Sequence, residues 1–192
     1  MLEIETKLKV ESHEPIRERL KAVGADFISH VLERNFIFDR IDGSLRTAGC
    51  GLRVRETQPL NGAQSAALLT FKGPCRSSAY KSRTEINIVV DSGVRTREML
   101  AALEFKEIMF FEKRRETWNL DSAQVELDEL PLLGNFVEIE GPDEKTIHQV
   151  QQRIGLSEHR HIETSYLSLL SDFCRRTGSS SRRVCFDAPA AE

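Results

Sequence analysis

The stretch Leu2-Glu3-Ile4-Glu5-Thr6-Lys7-Leu8-Lys9-Val10 puts Leu2, Ile4, Thr6, Leu8 and Val10 on one side and Glu3, Glu5, Lys7 and Lys9 on the other. That two-residue period is the period of a β-strand, with one apolar face and one fully charged face. The same arrangement recurs along the chain. Arg53 and Arg55 flank Val54, Thr70 and Lys72 flank Phe71, and Arg83, Glu85 and Asn87 alternate with Thr84 and Ile86. Lys113 and Arg115 share a face, as do Glu126 and Asp128 around Leu127, and Glu138 and Glu140 around Ile139.

Beyond the first strand, the pattern predicts strands over 33–41, 51–57, 66–73, 83–91, 107–121, 124–130 and 135–141. Ser12, Pro15, the apolar spacing of Ile16, Leu20 and Val23, and Gly24 predict a first amphipathic helix from cap to C-terminal glycine. Further helices are expected over about 94–103, 143–154 and 163–173. From Arg175 onward, Arg, Ser, Ala and Pro mix without period, which reads as a mobile extension, part of which could fold back. The expected organisation is one domain over 1–173 followed by a tail over 174–192.

Alternating charge has two readings. An antiparallel sheet often shows one face to water, and any single charged pair is then a solvated surface. A sheet of this many strands also tends to curl, and closure with the apolar face outward would put the charges inside a barrel. Buried charges need counter-charges, metal or ligand. Lys7, Arg53, Arg55, Lys72, Arg83, Lys113 and Arg115 suit the oxygens of a polyphosphate. Glu3, Glu5, Asp128, Glu138 and Glu140 suit a hard cation such as magnesium or manganese. Periodicity alone leaves the barrel and the wet open sheet both standing.

The chain has 192 residues, a formal charge of −3, 40% hydrophobic and 30% charged residues. This suits one globular domain. The basic footprint of a duplex-binding protein is missing, so nucleic acid is not an expected partner. No apolar run reaches membrane-spanning length and the acidic start lacks a leader pattern, so no membrane partner and a cytoplasmic location are expected. Cys50, Cys75, Cys174 and Cys185 lack zinc-site spacing and read as free thiols.

The run Glu3-Ile4-Glu5-Thr6-Lys7 resembles the Glu-x-Glu-x-Lys signature of the CYTH superfamily, which groups class IV adenylyl cyclases with thiamine triphosphatases and inorganic triphosphatases. Further segments agree in order: Phe36-Ile37-Phe38-Asp39, Leu52-Arg53-Val54-Arg55, Thr70-Phe71-Lys72-Gly73-Pro74, Arg83-Thr84-Glu85, Lys113-Arg114-Arg115, Leu127-Asp128, Gly134-Asn135-Phe136-Val137-Glu138-Ile139-Glu140 and Ser165-Tyr166. The resemblance implies an α+β fold in which a closed eight-stranded antiparallel β-barrel forms a triphosphate tunnel with helices outside. It makes Glu3, Glu5, Asp128, Glu138 and Glu140 candidate ligands for magnesium or manganese. Lys7, Arg53, Arg55, Lys72, Arg83, Lys113 and Arg115 become triphosphate contacts, and Glu85 an orienting residue. Glu3, Glu5, Lys7 and Arg115 are the candidate catalytic set, and a homodimer is an implied assembly. Asn87 departs from the pattern, where a second acid is frequent, and Phe36 stands where tyrosine is frequent.

The expected function is a class IV adenylyl cyclase-like conversion of ATP to cyclic AMP and pyrophosphate. The alternatives are hydrolysis of an inorganic, thiamine or nucleoside triphosphate, and a non-catalytic polyphosphate-binding module. His13, His30, His148, His159 and His161 lie outside the strand motifs and read as surface residues. Trp118 and the phenylalanines at 105, 110 and 111 read as core, and Arg175, Arg176, Arg182 and Arg183 as part of a solvated tail.

Overall fold

A computed structural model describes residues 2–60, 65–74 and 81–186, with the side chains of Leu2, Glu3, Lys81 and Ser82 outside that description. The elements in chain order are β1 (Leu2–Lys9), α1 (Glu14–Ala22), β2 (Asp26–Arg40), α2 (Ser44–Thr47), β3 (Gly51–Pro59), β4 (Ala66–Lys72) and β5 (Lys81–Val90). They continue with α3 (Gly93–Ala102), β6 (Phe105–Leu120), β7 (Ala123–Leu130), β8 (Gly134–Glu140), α4 (Glu144–Arg153), α5 (Tyr166–Arg176) and β9 (Arg183–Val184). All pairs among β1 to β8 are antiparallel, in the order β2-β3-β4-β5-β1-β8-β7-β6-β9, and β2 pairs in addition with β6. The eight long strands therefore succeed one another around a charged concavity.

Alternation explains the curl. Leu8, Val125, Leu127, Val137 and Ile139 turn outward and are buried against Ile16 and Leu20 of α1 and Ile147 and Val150 of α4. Their odd-even neighbours, Lys7, Glu126, Asp128 and Glu138, turn inward by the same period. A second cluster sets Tyr166, Leu170 and Cys174 of α5 on Met109, Phe111, Leu130 and Phe136. A third sets Leu100 of α3 on Phe36, Phe38, Val54 and Phe110. Trp118, Phe110 and Phe111 are core residues as expected.

The result is an α+β fold whose antiparallel sheet curls around the cavity, with β6 returning to pair with β2. One seam is short: β1 meets β5 only over Leu2–Glu5 against Lys81–Thr84. Helix cover also differs from side to side. The outer face of β5 leaves Ile86 and Ile88 exposed, whereas α1 and α4 bury the outer faces of β1, β7 and β8. Inside, Arg53, Arg55, Lys72, Arg83 and Glu85 are half-buried, and Lys113, Arg115, Asp128 and Glu138 are buried.

Local signals match the elements. Asp143 caps α4 by accepting from the Thr146 N–H at 2.7 Å, and Ser165 caps α5 by accepting from the Ser168 N–H at 3.2 Å. At α1 the N-cap is His13 and makes no side-chain cap; Ser12 Oγ instead accepts from the Glu14 N–H at 3.2 Å. Gly155 follows α4 at φ +69°, where its missing Cβ leaves room for the Arg19 side chain.

The short helix α2 was not predicted, and its cause is Asp39. Both carboxylate oxygens accept backbone N–H groups of the turn, from Leu45 at 3.0 Å and from Arg46 at 3.2 Å. The expected boundary at residue 173 falls within α5, where Cys174 is buried. Part of the expected tail folds back: β9 pairs in parallel with Phe110 and Phe111, burying Val184. Residues 187–192 and Cys75 lie outside the described residues.

Candidate functional site

Register, more than sequence proximity, assembles the site. On the inner face Lys7 sits opposite Glu138, Arg115 opposite Asp128, Lys113 opposite Glu33, Arg55 opposite Asn35 and Lys72 opposite Glu85. Opposite charges across a ladder stabilise four of these pairs, and Arg55 meets the neutral Asn35 amide. Two positions break the rule: Glu5 faces Glu140, and Glu138 faces Glu126. Like charges directly opposite cost stability unless a cation joins them.

Most of these side chains line one cavity of about 480 Å³, with Glu33, Asn35 and Asp128 behind its lining. Of the residues expected from the sequence, Glu5, Lys7, Arg53, Arg55, Lys72, Arg83, Lys113, Arg115, Glu138 and Glu140 all face it. The Glu3 side chain lies outside the described residues, although its backbone pairs with Arg83. Asp128 is brought to the same cluster but sits behind the lining, 0% exposed. Its oxygens accept from Arg115 Nε at 2.7 Å, Arg115 Nη2 at 2.6 Å, Lys113 Nζ at 3.1 Å and the Tyr166 hydroxyl at 2.9 Å.

Several lining or supporting residues were missed. Glu33 is buried beneath the floor, with Oε1 2.8 Å from Arg55 and Oε2 3.3 Å from Lys113. Asn35 accepts from Arg55 Nε at 3.1 Å, while its buried Nδ2 has no hydrogen-bond partner among the described residues. Glu126 faces the cavity and, with Asp128 and Glu138, places three carboxylate oxygens within 4.8 Å of one another. Tyr166 lines one end, with Lys7 Nζ 4.1 Å and Lys113 Nζ 5.3 Å from its ring centroid. Alternation could have flagged Glu126, which shares its face with Asp128. The pattern gave no comparable signal for Glu33, a lone acid followed by Asn35.

Asn87, the departure from the family pattern, has a clear local role. It accepts from the Thr70 hydroxyl at 2.7 Å and donates to Glu85 Oε1 at 2.9 Å, while Lys72 is paired with the same Glu85. An amide here can both accept and donate, which orients Glu85 without adding charge. No histidine lines the cavity among the described residues.

Electrostatics follow from the packing. Burial raises the Glu138 carboxyl, but Lys7, Arg115 and Lys113 outweigh it and hold the group well below the ordinary carboxylate range. Glu126 is pushed up to about 7, first by burial and then by Asp128, against the pull of Arg115. Burial also works against the charge of Glu33, yet Arg55, Lys113 and Arg115 drive its carboxyl far down. Glu140 is raised by burial and by Glu5 and Glu85. Arg53 is pushed down to about 9 by burial and by Arg55, and its buried Nε lacks a hydrogen-bond partner among the described residues. Tyr166 is raised well above its ordinary value by burial and Asp128.

A curled antiparallel sheet holding cations and carboxylates in one inward cavity, with α1, α3 and α4 on its outer face and α5 against the inner one, defines a class of charged curled-sheet proteins. Within that class the chain belongs to the CYTH domain family, whose model matches residues 1–166. It is 26% identical over 178 residues to a Methanocaldococcus jannaschii protein named putative adenylate cyclase, covering 88% of this chain and 98% of that one.

Solved structures share the fold. A putative adenylate cyclase from Vibrio parahaemolyticus superposes with a TM-score of 0.77 at 23% identity, covering 89% of this chain and 98% of that one. The protein PH1819 of Pyrococcus horikoshii gives 0.76 at 23% identity, covering 88% and 98%. A Hippeastrum protein gives 0.69 at 18% identity, covering 94% and 97%; it is described as a putative adenylyl cyclase that reveals a dominant triphosphatase activity.

The donor set fits a hard divalent cation: Glu126, Asp128 and Glu138 present only carboxylate oxygens, and so do Glu5 and Glu140. No helix among the described residues is long and apolar enough to cross a membrane.

Proposed function

We propose that the chain is a class IV-type adenylyl cyclase that converts ATP to cyclic AMP and pyrophosphate in this cavity with magnesium or manganese. The observation that carries the reading is Arg53, a half-buried cation on the cavity wall whose buried Nε has no hydrogen-bond partner among the described residues and whose charge burial and Arg55 disfavour. Such a group is stabilised by an anion brought from outside. Around it, Lys7, Arg55, Lys72, Arg83, Lys113 and Arg115 supply charge for a whole phosphate chain. Ile37, Leu52, Leu68, Phe111 and Leu167 add apolar surface on the same cavity, which inorganic triphosphate does not need and a nucleoside does.

In the reaction, the ribose 3′ oxygen forms a bond to the α-phosphorus while the bond to the bridging oxygen of pyrophosphate breaks, and the hydroxyl proton passes to solvent. Lys7, Arg53, Arg55, Lys113 and Arg115 hold the β- and γ-phosphates and stabilise the charge that gathers on the leaving pyrophosphate. Glu3, Glu5, Asp128, Glu138 and Glu140, with Glu126 added from the structure, would hold the divalent ion, which supplies charge neutralisation at the phosphates. Tyr166 keeps Asp128 oriented toward Arg115 and Lys113.

A second reading, hydrolysis of a triphosphate, is favoured by the partial exposure of the wall. Lys72 and Arg83 are only partly buried and leave phosphate positions within reach of water, and cyclisation is better served where water is excluded. Purified protein incubated with ATP, and separately with inorganic triphosphate, in magnesium or manganese separates the two. Cyclic AMP with pyrophosphate supports the first reading. Orthophosphate without cyclic product supports the second, and no turnover of either with intact folding removes both.

A further inference from the structure

The Arg115 guanidinium occupies the centre of the carboxylate cluster. Its Nη1 is paired with Glu126, its Nη2 lies 2.6 Å from both Asp128 Oδ2 and Glu138 Oε2, and its Nε donates to Asp128 Oδ1 at 2.7 Å. One planar cation thus engages three acids whose oxygens converge within 4.8 Å. The neighbouring ammonium groups reinforce it from two sides, Lys7 Nζ at 3.2 Å from Glu138 and Lys113 Nζ at 3.1 Å from Asp128.

A divalent ion and a guanidinium cannot both sit among the same three carboxylates, because two cations at van der Waals distance repel strongly in a buried setting. The guanidinium also has nowhere neutral to go. Lys113, Arg53 and Arg55 occupy the adjoining wall, and Glu33 is already paired with Arg55 and Lys113. A phosphate chain changes this, since its oxygens accept a guanidinium fork as well as a carboxylate does.

We propose that Arg115 is a resident counter-ion that keeps the Glu126, Asp128 and Glu138 cluster closed to free divalent metal until a triphosphate draws the guanidinium away. The species this cluster takes is therefore the metal–triphosphate complex, and metal alone is rejected there. This rests on the triphosphate reading above and adds to it a rule for which ligand enters with which. Binding of the two is linked reciprocally, because each removes the charge that opposes the other.

The test follows free Mn²⁺ by electron paramagnetic resonance during titration of wild type and Arg115→Gln, with and without inorganic triphosphate. Without triphosphate, Arg115→Gln is expected to bind Mn²⁺ at least about tenfold more tightly than wild type, and to gain less than wild type when triphosphate is added. Equal Mn²⁺ affinity of the two proteins without triphosphate overturns the proposal.

A wild-type measurement covers the case in which the variant does not fold. The Arg115 Nε–H resonance is expected to stay in place with Mg²⁺ alone and to shift when triphosphate joins it; a shift with Mg²⁺ alone overturns the proposal. Failure of wild type to bind triphosphate under any metal condition is a different result, and it removes the triphosphate reading itself.

Discussion

Glu33→Gln is the substitution whose consequences the structure specifies most fully. Glu33 is 3% exposed, with Oε1 2.8 Å from Arg55 Nη1 and 4.0 Å from Arg115 Nε, and Oε2 3.3 Å from Lys113 Nζ. Removing one partner of a buried ion pair costs about 3–5 kcal/mol because the other charge stays buried and unmatched. Here Arg55 keeps Asn35, and Lys113 and Arg115 keep Asp128, so the lower end, about 3 kcal/mol, applies. For a chain of this length that lowers Tm by roughly 6–12 °C.

The same change removes a competitor for the cations, so inorganic triphosphate is expected to bind Glu33→Gln more tightly than wild type. Bound at a hundredfold excess over Kd it returns about 2.7 kcal/mol, close to the loss. Differential scanning fluorimetry with and without triphosphate reads both effects. A ligand-free Tm within about 1 °C of wild type would refute the assignment of Glu33 as the anchor of the floor. So would weakened triphosphate binding in the variant.

Arg53→Ala is expected to behave in the opposite way. With its charge poorly compensated, its removal leaves Tm unchanged or raised while triphosphate affinity, read by calorimetry, falls about tenfold or more. Acid stability follows from Glu33: its carboxyl is lowered in the folded chain, so its contribution is present above the ordinary value of 4.5 and is lost as pH falls below it. Denaturant midpoints measured against pH should show that acid limb in wild type and a shallower one in Glu33→Gln. Glu126, held up at about 7, has the reverse sign: its contribution is full below 4.5 and fades as pH rises through about 7, and Glu126→Gln flattens that limb. Gly155→Ala forces a side chain into φ +69° against the Arg19 guanidinium, and should cost about 1–2 kcal/mol in urea unfolding.

How much was legible in advance depended on whether a residue's signal was local. The charged faces of β1, β3, β6, β7 and β8 are written in alternation, and eight strands and four helices follow from period and caps. Ten of the twelve expected site residues face the cavity because a β-ladder carries one face around the curl. Asp128 is different: its place behind the lining depends on Tyr166, which comes from α5 and was set there by apolar packing on Phe136. Glu33 depends on the β2–β6 register, a pairing between segments far apart in sequence, which no local pattern announces. The strand β9 contains only two residues and takes its direction from Phe110 and Phe111, so it left no period to read. Which outer faces the helices cover is again a property of the assembled chain.

The first strand of the fold is also among the last to find its neighbours. The partners of β1 are β5, residues 81–90, and β8, residues 134–140, so a nascent chain must be mostly synthesised before Leu2–Lys9 is paired on both sides. Pairings across such separations carry a large loop-closure cost and slow folding. Glu5 and Lys7 ride on this strand, so the cavity is assembled in the same step that completes the sheet. A chain stalled short of residue 134 holds neither Glu138 nor Glu140, and folding and the appearance of the site are one event.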